Sequence, residues 1–304
     1  MNLLLTAVVA GIVAGSVTAL LGAGLVVVHR ATGIVDFAHG ALATVAVFVM
    51  VSLTAHRVPL WAALPAGLVT GALLGGGVHL LVMRPLADRP SLTGTVASLG
   101  VLYALQGLTL AAFGGAGRAV PSAFPHGGID IGGIVVSWSQ LGVVVTAVAV
   151  TAACGVVLAR TAAGRRLRAV ADDPGIAALT GVDVDRVRAG AWTSGGGLAA
   201  LAGILVTPSL GLDSYTLTLL VVQGLAAALT GRLRSLSGAL AGGVGIGVTT
   251  SLVRTGLQRS VGTGPAWVNL AATADVVAVV WIAVLLLRWG RHDAPREQGT
   301  AVVA

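Results

Sequence analysis

The sequence predicts an all-α fold, a polytopic transmembrane helical bundle of eight or nine spans, some of them short or re-entrant. Three observations carry this. Charged residues are only 10% of the 304 positions and hydrophobic ones 56%, whereas a water-soluble globule carries roughly 25% charged residues. The apolar runs are long and do not alternate, as the strands of a membrane barrel would. The polar stretches between several of them are short and rich in arginine, the pattern of loops retained on the cytoplasmic side.

Leu3 to Val28, closed by His29 and Arg30, is the first span, since about 20 apolar residues cross a bilayer. Gly11 and Gly15 within it form a small-xxx-small pair suited to close helix packing. No positive charge precedes this run in Met1 to Leu5, so it reads as a retained span rather than a cleaved signal. HRATGIVDFAHG (His29 to Gly40) is too polar to face lipid and reads as a loop or as irregular backbone buried in protein. Ala38 to Thr54 is the second span and Leu60 to Met83 the third. His79, near the end of that span, reads as paired or snorkelling rather than as a proton relay. Arg84 to Arg89 is again arginine-bearing. Thr93 to Phe113 is the fourth span. Gly114 to Trp138 is an external loop whose sole arginine is Arg118; Ile129, Ile131, Ile134, Val135 and Val136 fit a short hairpin there. Leu141 to Ala159 is the fifth span.

Arg160 to Arg188 is the longest densely charged segment, with six arginines and four aspartates. It belongs in water, and its arginine excess places it on the cytoplasmic side. Asp172 and Asp173 precede Pro174, the arrangement of a helix N-cap followed by its first residue. Gly181 suits the left-handed C-terminal position. Pro174 to Thr180 therefore predicts a helix of roughly two turns. Asp183 is the candidate N-cap of the next helix. Two readings remain open from the residues alone: a docking surface, or a structured linker between spans.

Ala189 to Leu205 is a glycine-rich sixth span, and Pro208 to Tyr215 an external or re-entrant segment carrying Asp213. Thr216 to Thr230 is short for a span at 15 residues. GRLRSLS (Gly231 to Ser237) breaks it before Gly238 to Val253. Two short, glycine-interrupted segments in series point to a transport site, or equally to two tilted spans. Arg254 to Trp267 reads as a polar loop and Leu270 to Leu287 as the last span, with Asp275 near its outer end. Arg288, Arg291 and His292 place the C-terminus inside, followed by a disordered tail, 293–304. Nine spans put the N-terminus outside; eight require one short segment to be re-entrant.

The net charge of +7 comes entirely from arginine, there being no lysine. The arginines sit at span ends, where membrane topology accounts for them, so no nucleic-acid partner is expected. The single cysteine, Cys154, excludes an internal disulfide and any cysteine metal site. Nucleotide, hydrolase and zinc motifs are all missing, so no catalytic, cofactor-binding or metal site is expected. Acids near the spans are few: Asp36, Asp213 and Asp275. A coupled carrier usually needs ionisable groups at midplane; their scarcity favours a pathway energised by a partner.

HRATGIVDFAHGAL (His29 to Leu42), GRRLRAVADDPGIAALTGVDVDRVR (Gly164 to Arg188), GGGLAALAGIL (Gly195 to Leu205) and GRLRSLSGALAGGVGIGV (Gly231 to Val248) together, and in this order, resemble branched-chain amino acid ABC importer permeases of the LivH type. The resemblance implies a permease domain, 1–292, in a bacterial inner membrane. It also implies a second homologous permease, ABC ATPase subunits and an extracytoplasmic solute-binding protein as partners. Gly164, Arg165, Arg168, Asp172, Asp173, Pro174, Ala177, Leu179 and Gly181 would then couple to the ATPase, which turns the open choice toward docking. ATP hydrolysis would belong to that separate subunit. Three positions depart from the family's motifs. Asp36 stands for Asn, and a salt bridge to a neighbouring His or Arg accounts for it. Arg232 and Arg234 stand for glycines where close backbone approach is expected. Branched-chain amino acids are the expected cargo; urea or short amides, served by the same family, and a self-sufficient carrier or channel are the alternatives. Asp36, His39, Asp213 and Gln223 are candidate polar groups of the translocation pathway.

Overall fold

The computed structural model describes residues 2–125, 127–130, 135–261 and 273–292. The chain runs through α1 (Asn2–Thr32), α2 (His39–Ala55), α3 (Leu60–Val78) and α4 (Ser91–Phe113). A π turn, His79–Met83, and a 3-10 turn, Arg84–Leu86, continue α3. An antiparallel hairpin of β1 (Gly128–Asp130) and β2 (Val135–Ser137) sets Ile129 opposite Val136. Then follow α5 (Trp138–Arg160), α6 (Ala162–Asp172), α7 (Pro174–Leu179), α8 (Val184–Leu210), α9 (Thr216–Thr230), α10 (Leu236–Val261) and α11 (Thr273–His292). Apart from the hairpin expected in the 114–138 connection, this is an all-α bundle. Ile131 and Ile134, also assigned to that hairpin, lie outside the described residues, as does the tail 293–304.

Among the described residues, six helices are long and apolar enough to cross a membrane: Leu3–Thr32, Leu60–Leu86, Ser91–Phe113, Trp138–Arg160, Val184–Leu210 and Leu236–Arg259. The chain is a multi-pass membrane protein. Two shorter apolar helices, α2 and α9, have 17 and 15 residues. At about 1.5 Å per residue they fall short of a hydrocarbon core about 30 Å thick. The outer faces expose Leu73, Leu81, Tyr103, Leu108 and Val145, as side chains that meet lipid would.

α1 is the axis of the bundle and packs against α10, α8, α9 and α5. Lipid is as apolar as leucine, so close packing rather than water exclusion holds such helices together. The small residues provide it. The expected Gly11/Gly15 pair meets Gly243, Val244 and Val248 of the antiparallel α10; a Cβ at Gly15 would lie 2.6 Å from the Gly243 carbonyl oxygen. Gly71 and Gly75 of α3 lie in the same way on Gly196 and Trp192 of α8, and a Cβ at Gly71 would lie 2.6 Å from the Gly196 oxygen. Trp192, in the second of these contacts, is fully buried.

Four expectations change. α1 continues through His29 and Arg30 to Thr32, leaving only 33–38 as the connection to α2. α8 passes Pro208 and ends at Leu210; a proline in the last turn removes a single helical hydrogen bond. α10 takes in Arg254 to Val261, which read as the start of a polar loop, because a helix whose arginines are exposed extends beyond lipid without penalty. The segment before Pro174 is itself a helix, α6. On the side of the 114–138 connection, Arg118 bridges two loops. Its backbone pairs with Leu212, its guanidinium donates to the Phe113 carbonyl at 2.7 Å and it lies 5.5 Å over the Phe48 ring.

Candidate functional site

α6 and α7 form a platform at one end of the bundle, and all nine residues expected to couple to a partner lie on or beside it. Thr161 caps α6 by accepting from the Gly164 amide at 3.3 Å. Gly164 packs on the backbone of Leu158, where an added Cβ would lie 2.6 Å from the Leu158 Cα. Arg168 donates to the Leu158 carbonyl from the next turn. Together they fix α6 against the end of α5. Leu167 and Val170 turn inward, while Arg165 and Asp172 stay exposed.

α7 is shaped as its residues predict. Asp173 caps it, accepting from the amides of Gly175 at 2.7 Å and Ile176 at 2.9 Å. Pro174 takes the first helical position. Gly181 ends the turn at φ +83°, where a side chain would be strained. Ala177 is buried, whereas Ile176 is 62% and Leu179 89% exposed. Asp183 then caps α8 through the Arg186 amide at 3.0 Å. The result is a rigid, capped knob with two outward aliphatic side chains.

The platform is tied to the bundle where α8 begins. Asp185 Oδ1 lies 3.0 Å from His79 Nε2, and its Oδ2 3.2 Å from Arg84 Nε. His79 is thus paired, as its place near a span end predicted.

The four candidate pathway residues lie at three separate places. Asp36 and His39 are fully buried together. Asp36 Oδ2 lies 3.2 Å from His39 Nδ1, and Oδ1 accepts the Ala38 amide at 2.9 Å. The ring rests against Gly24, where an added Cβ would collide with it. Asp213 caps the start of α9. It accepts from the amides of Tyr215 and Thr216, each at 2.7 Å, and from the Thr216 hydroxyl at 2.5 Å. Burial opposes ionisation of Asp213, but these hydrogen bonds outweigh it and hold the carboxyl below its usual range. Gln223 donates from α9 to Asp275 of α11 at 3.2 Å.

The positions that carry Arg232 and Arg234 keep a close backbone approach by other means. Gly231 and Gly238 touch, a Cβ at Gly238 lying 2.5 Å from the Gly231 Cα. Arg232 and Leu233 take left-handed conformations, φ +52° and +56°, a region that ordinarily favours glycine.

The family model described as "Branched-chain amino acid transport system / permease component" matches residues 7–287. The chain belongs to this family. The permease is 28% identical over 288 residues to the probable branched-chain amino acid transport permease protein LivH of Methanocaldococcus jannaschii, covering 91% of this chain and 88% of that one. It is 26% identical over 252 residues to the high-affinity branched-chain amino acid transport system permease protein BraD of Pseudomonas aeruginosa, covering 78% and 82%. It is 35% identical over 147 residues to the fructose import permease protein FrcC of Rhizobium meliloti, over 45% and 38% of the two chains. No solved structure matches it.

Two features of this permease's platform escaped the sequence reading. α6 carried a legible signal, Thr161 three residues before Gly164 and the inward pair Leu167 and Val170. The His79–Asp185 pair spans 106 residues and had no local signal.

Proposed function

We propose that this permease is the membrane-spanning subunit of an ATP-binding-cassette importer that moves amino acids, branched-chain ones foremost, across a bacterial inner membrane. The observation that carries the reading is the exposed pair Ile176 and Leu179 on the capped α7. A short rigid helix with outward aliphatic side chains fits a groove on a partner protein. The partner in this reading is an ATPase subunit, whose cycle of ATP binding and hydrolysis biases two arrangements of the bundle through α6 and α7. Gly164, Arg168, Asp173 and Gly181 shape that contact, and Ala177 seats it on the bundle. A second homologous permease and an extracytoplasmic solute-binding protein complete the assembly.

In this topology the arginine-rich platform is cytoplasmic, as is the C-terminus, and the 114–138 connection is external. The six long helices, α11, and the short α2 and α9, which cross where the bilayer thins around them, give nine crossings, with the N-terminus outside. The buried Asp36–His39 pair and the Gln223–Asp275 hydrogen bond border the route in this reading. Selectivity rests chiefly with the solute-binding protein.

The test replaces residues 174–180 with a Gly/Ser linker and measures retention of the ATPase on the purified permease, together with amino-acid uptake. Both are expected to be lost. Full retention and full uptake would reject docking through α7.

A further inference from the structure

Where α1 ends, beside the platform, there is a cavity of about 320 Å³. Its lining includes His29, Arg30, Arg188 and Arg234, against a single acid, Asp172. Among the described residues the ion pairs join His39 to Asp36, His79 and Arg84 to Asp185, and Arg186 to Asp183. None of them involves the three cavity arginines. The Nε of Arg188 is buried without a hydrogen-bond partner. Arg234 lies within electrostatic reach of both His29 and Arg30, and Arg30 is also within reach of Arg168 and of the one acid, Asp172. Arg234 is set there by a turn whose two preceding residues, Arg232 and Leu233, are left-handed. Such backbone is retained where surrounding structure over-determines it, frequently at functional sites.

Like charges brought together in a concave site, with too few carboxylates to balance them, raise the local concentration of anions. Guanidinium forks match the oxygens of a phosphate and hold it by charge-assisted hydrogen bonds. No Phe, Tyr or Trp lines the cavity, so it offers no platform for a nucleobase to stack on. The cavity opens where α1, the first candidate span, terminates at Thr32, and the ends of membrane-spanning helices meet the headgroup layer. Basic pockets between transmembrane helices at this level take anionic headgroups.

We propose that this cavity is a binding site for a phosphate group, held by Arg30, Arg188 and Arg234. Phosphatidylglycerol headgroups and free phosphate share this chemistry. The site does not depend on the transport reading above.

The test uses the full chain in phosphatidylcholine nanodiscs and reads its Tm after adding inorganic phosphate. A parallel set of nanodiscs contains phosphatidylglycerol. Arg234→Gln is the main variant, because its side chain is exposed on a turn and its loss leaves the core intact. Arg188→Gln is the second. Arg160→Gln, an exposed arginine at the same end outside the cavity, is the control. The expected result is that one arm raises the wild-type Tm, that Arg234→Gln and Arg188→Gln each lose about half of the rise or more, and that Arg160→Gln keeps it. A rise with phosphate assigns the site to the free anion; a rise only with phosphatidylglycerol assigns it to the headgroup. No rise in either arm, or equal loss in Arg160→Gln, overturns the proposal. So does a wild-type chain silent in both arms whose Arg234→Gln variant sheds a co-purifying protein, which would make the cavity a protein contact.

Discussion

His79 and Asp185 meet across the bundle, Nε2 to Oδ1 at 3.0 Å. One is the first residue of the π turn that ends α3, and the other lies in the first turn of α8, just after the platform. Arg84 shares the same carboxylate at 3.2 Å. Any tilt of the platform that moves the start of α8 must therefore move the end of α3 or break these contacts. π turns inside helices recur at functional positions.

Asp185→Ala removes both contacts and leaves the His79 ring, only 2% exposed, without them. A buried donor stripped of its partner costs about 1–3 kcal/mol. Asp185 is 40% exposed, and water screens such a group, so the expected loss is at the low end, about 1 kcal/mol. A thermal melt of the purified permease measures it. An unchanged Tm would mean the latch carries no energy. Uptake is expected to fall while the ATPase stays bound, because α7 itself is untouched.

Gly71→Ala forces a methyl group toward the Gly196 carbonyl, 2.6 Å from where its Cβ would sit. Neither backbone can yield without separating α3 from α8. Overpacking of this kind costs about 1–3 kcal/mol, and a lower Tm with reduced folded yield is expected. Gly77→Ala, on the same helix with nothing within 4 Å of its Cβ, is expected to be neutral or to gain up to about 1 kcal/mol from helix propensity. Equal behaviour of the two variants would count against the α3–α8 contact.

Asp173→Ala and Leu179→Ser separate the shape of α7 from its surface. Loss of the Asp173 cap costs the helix about 1 kcal/mol, which is expected as faster amide exchange over residues 175–179 with an unchanged global Tm. Leu179 is 89% exposed, so Leu179→Ser leaves both exchange and Tm as they were. On the docking reading it nevertheless lowers ATPase retention on the purified permease. If Leu179→Ser retained the ATPase as wild type does, α7 would be a linker.

Features set by neighbours in sequence were legible. Asp173, Pro174 and Gly181 specify α7 because capping, a fixed φ and a left-handed terminus are properties of single positions. The apolar runs specify α3, α4 and α5 within a few residues at each end. The Gly11/Gly15 pair announced a close helix contact, though its partner, Gly243 of α10, lies far along the chain. What was not legible depends on distance in sequence. Nothing near His79 points to Asp185, and nothing near Arg30 points to Arg234. Arginine is no stop signal in α1 or α10: α1 runs on through the half-buried Arg30 and α10 through the exposed Arg254 and Arg259, so both helices extend past their apolar runs. Polar type and nearness to a span single out Asp36, His39, Asp213 and Gln223, but neither property brings Asp36, Asp213 and Gln223 to one place.

Asp213 makes stability depend on pH in a direction that can be worked out. Its hydrogen bonds from Thr216 and Tyr215 hold the folded carboxyl below the ordinary value of 3.8. Between the folded and unfolded values the unfolded chain binds the extra proton, so falling pH favours unfolding there. The stabilisation is fully present above the ordinary value and is lost as pH falls through the folded one. Asp213→Asn keeps an oxygen for the cap but cannot titrate. The difference in Tm between wild type and Asp213→Asn is therefore expected to be steady above about pH 5 and to shrink as pH falls below about 4. Melts of the purified permease across that window measure it. A difference that stayed constant to the lowest pH would show that the carboxylate charge contributes nothing to the start of α9.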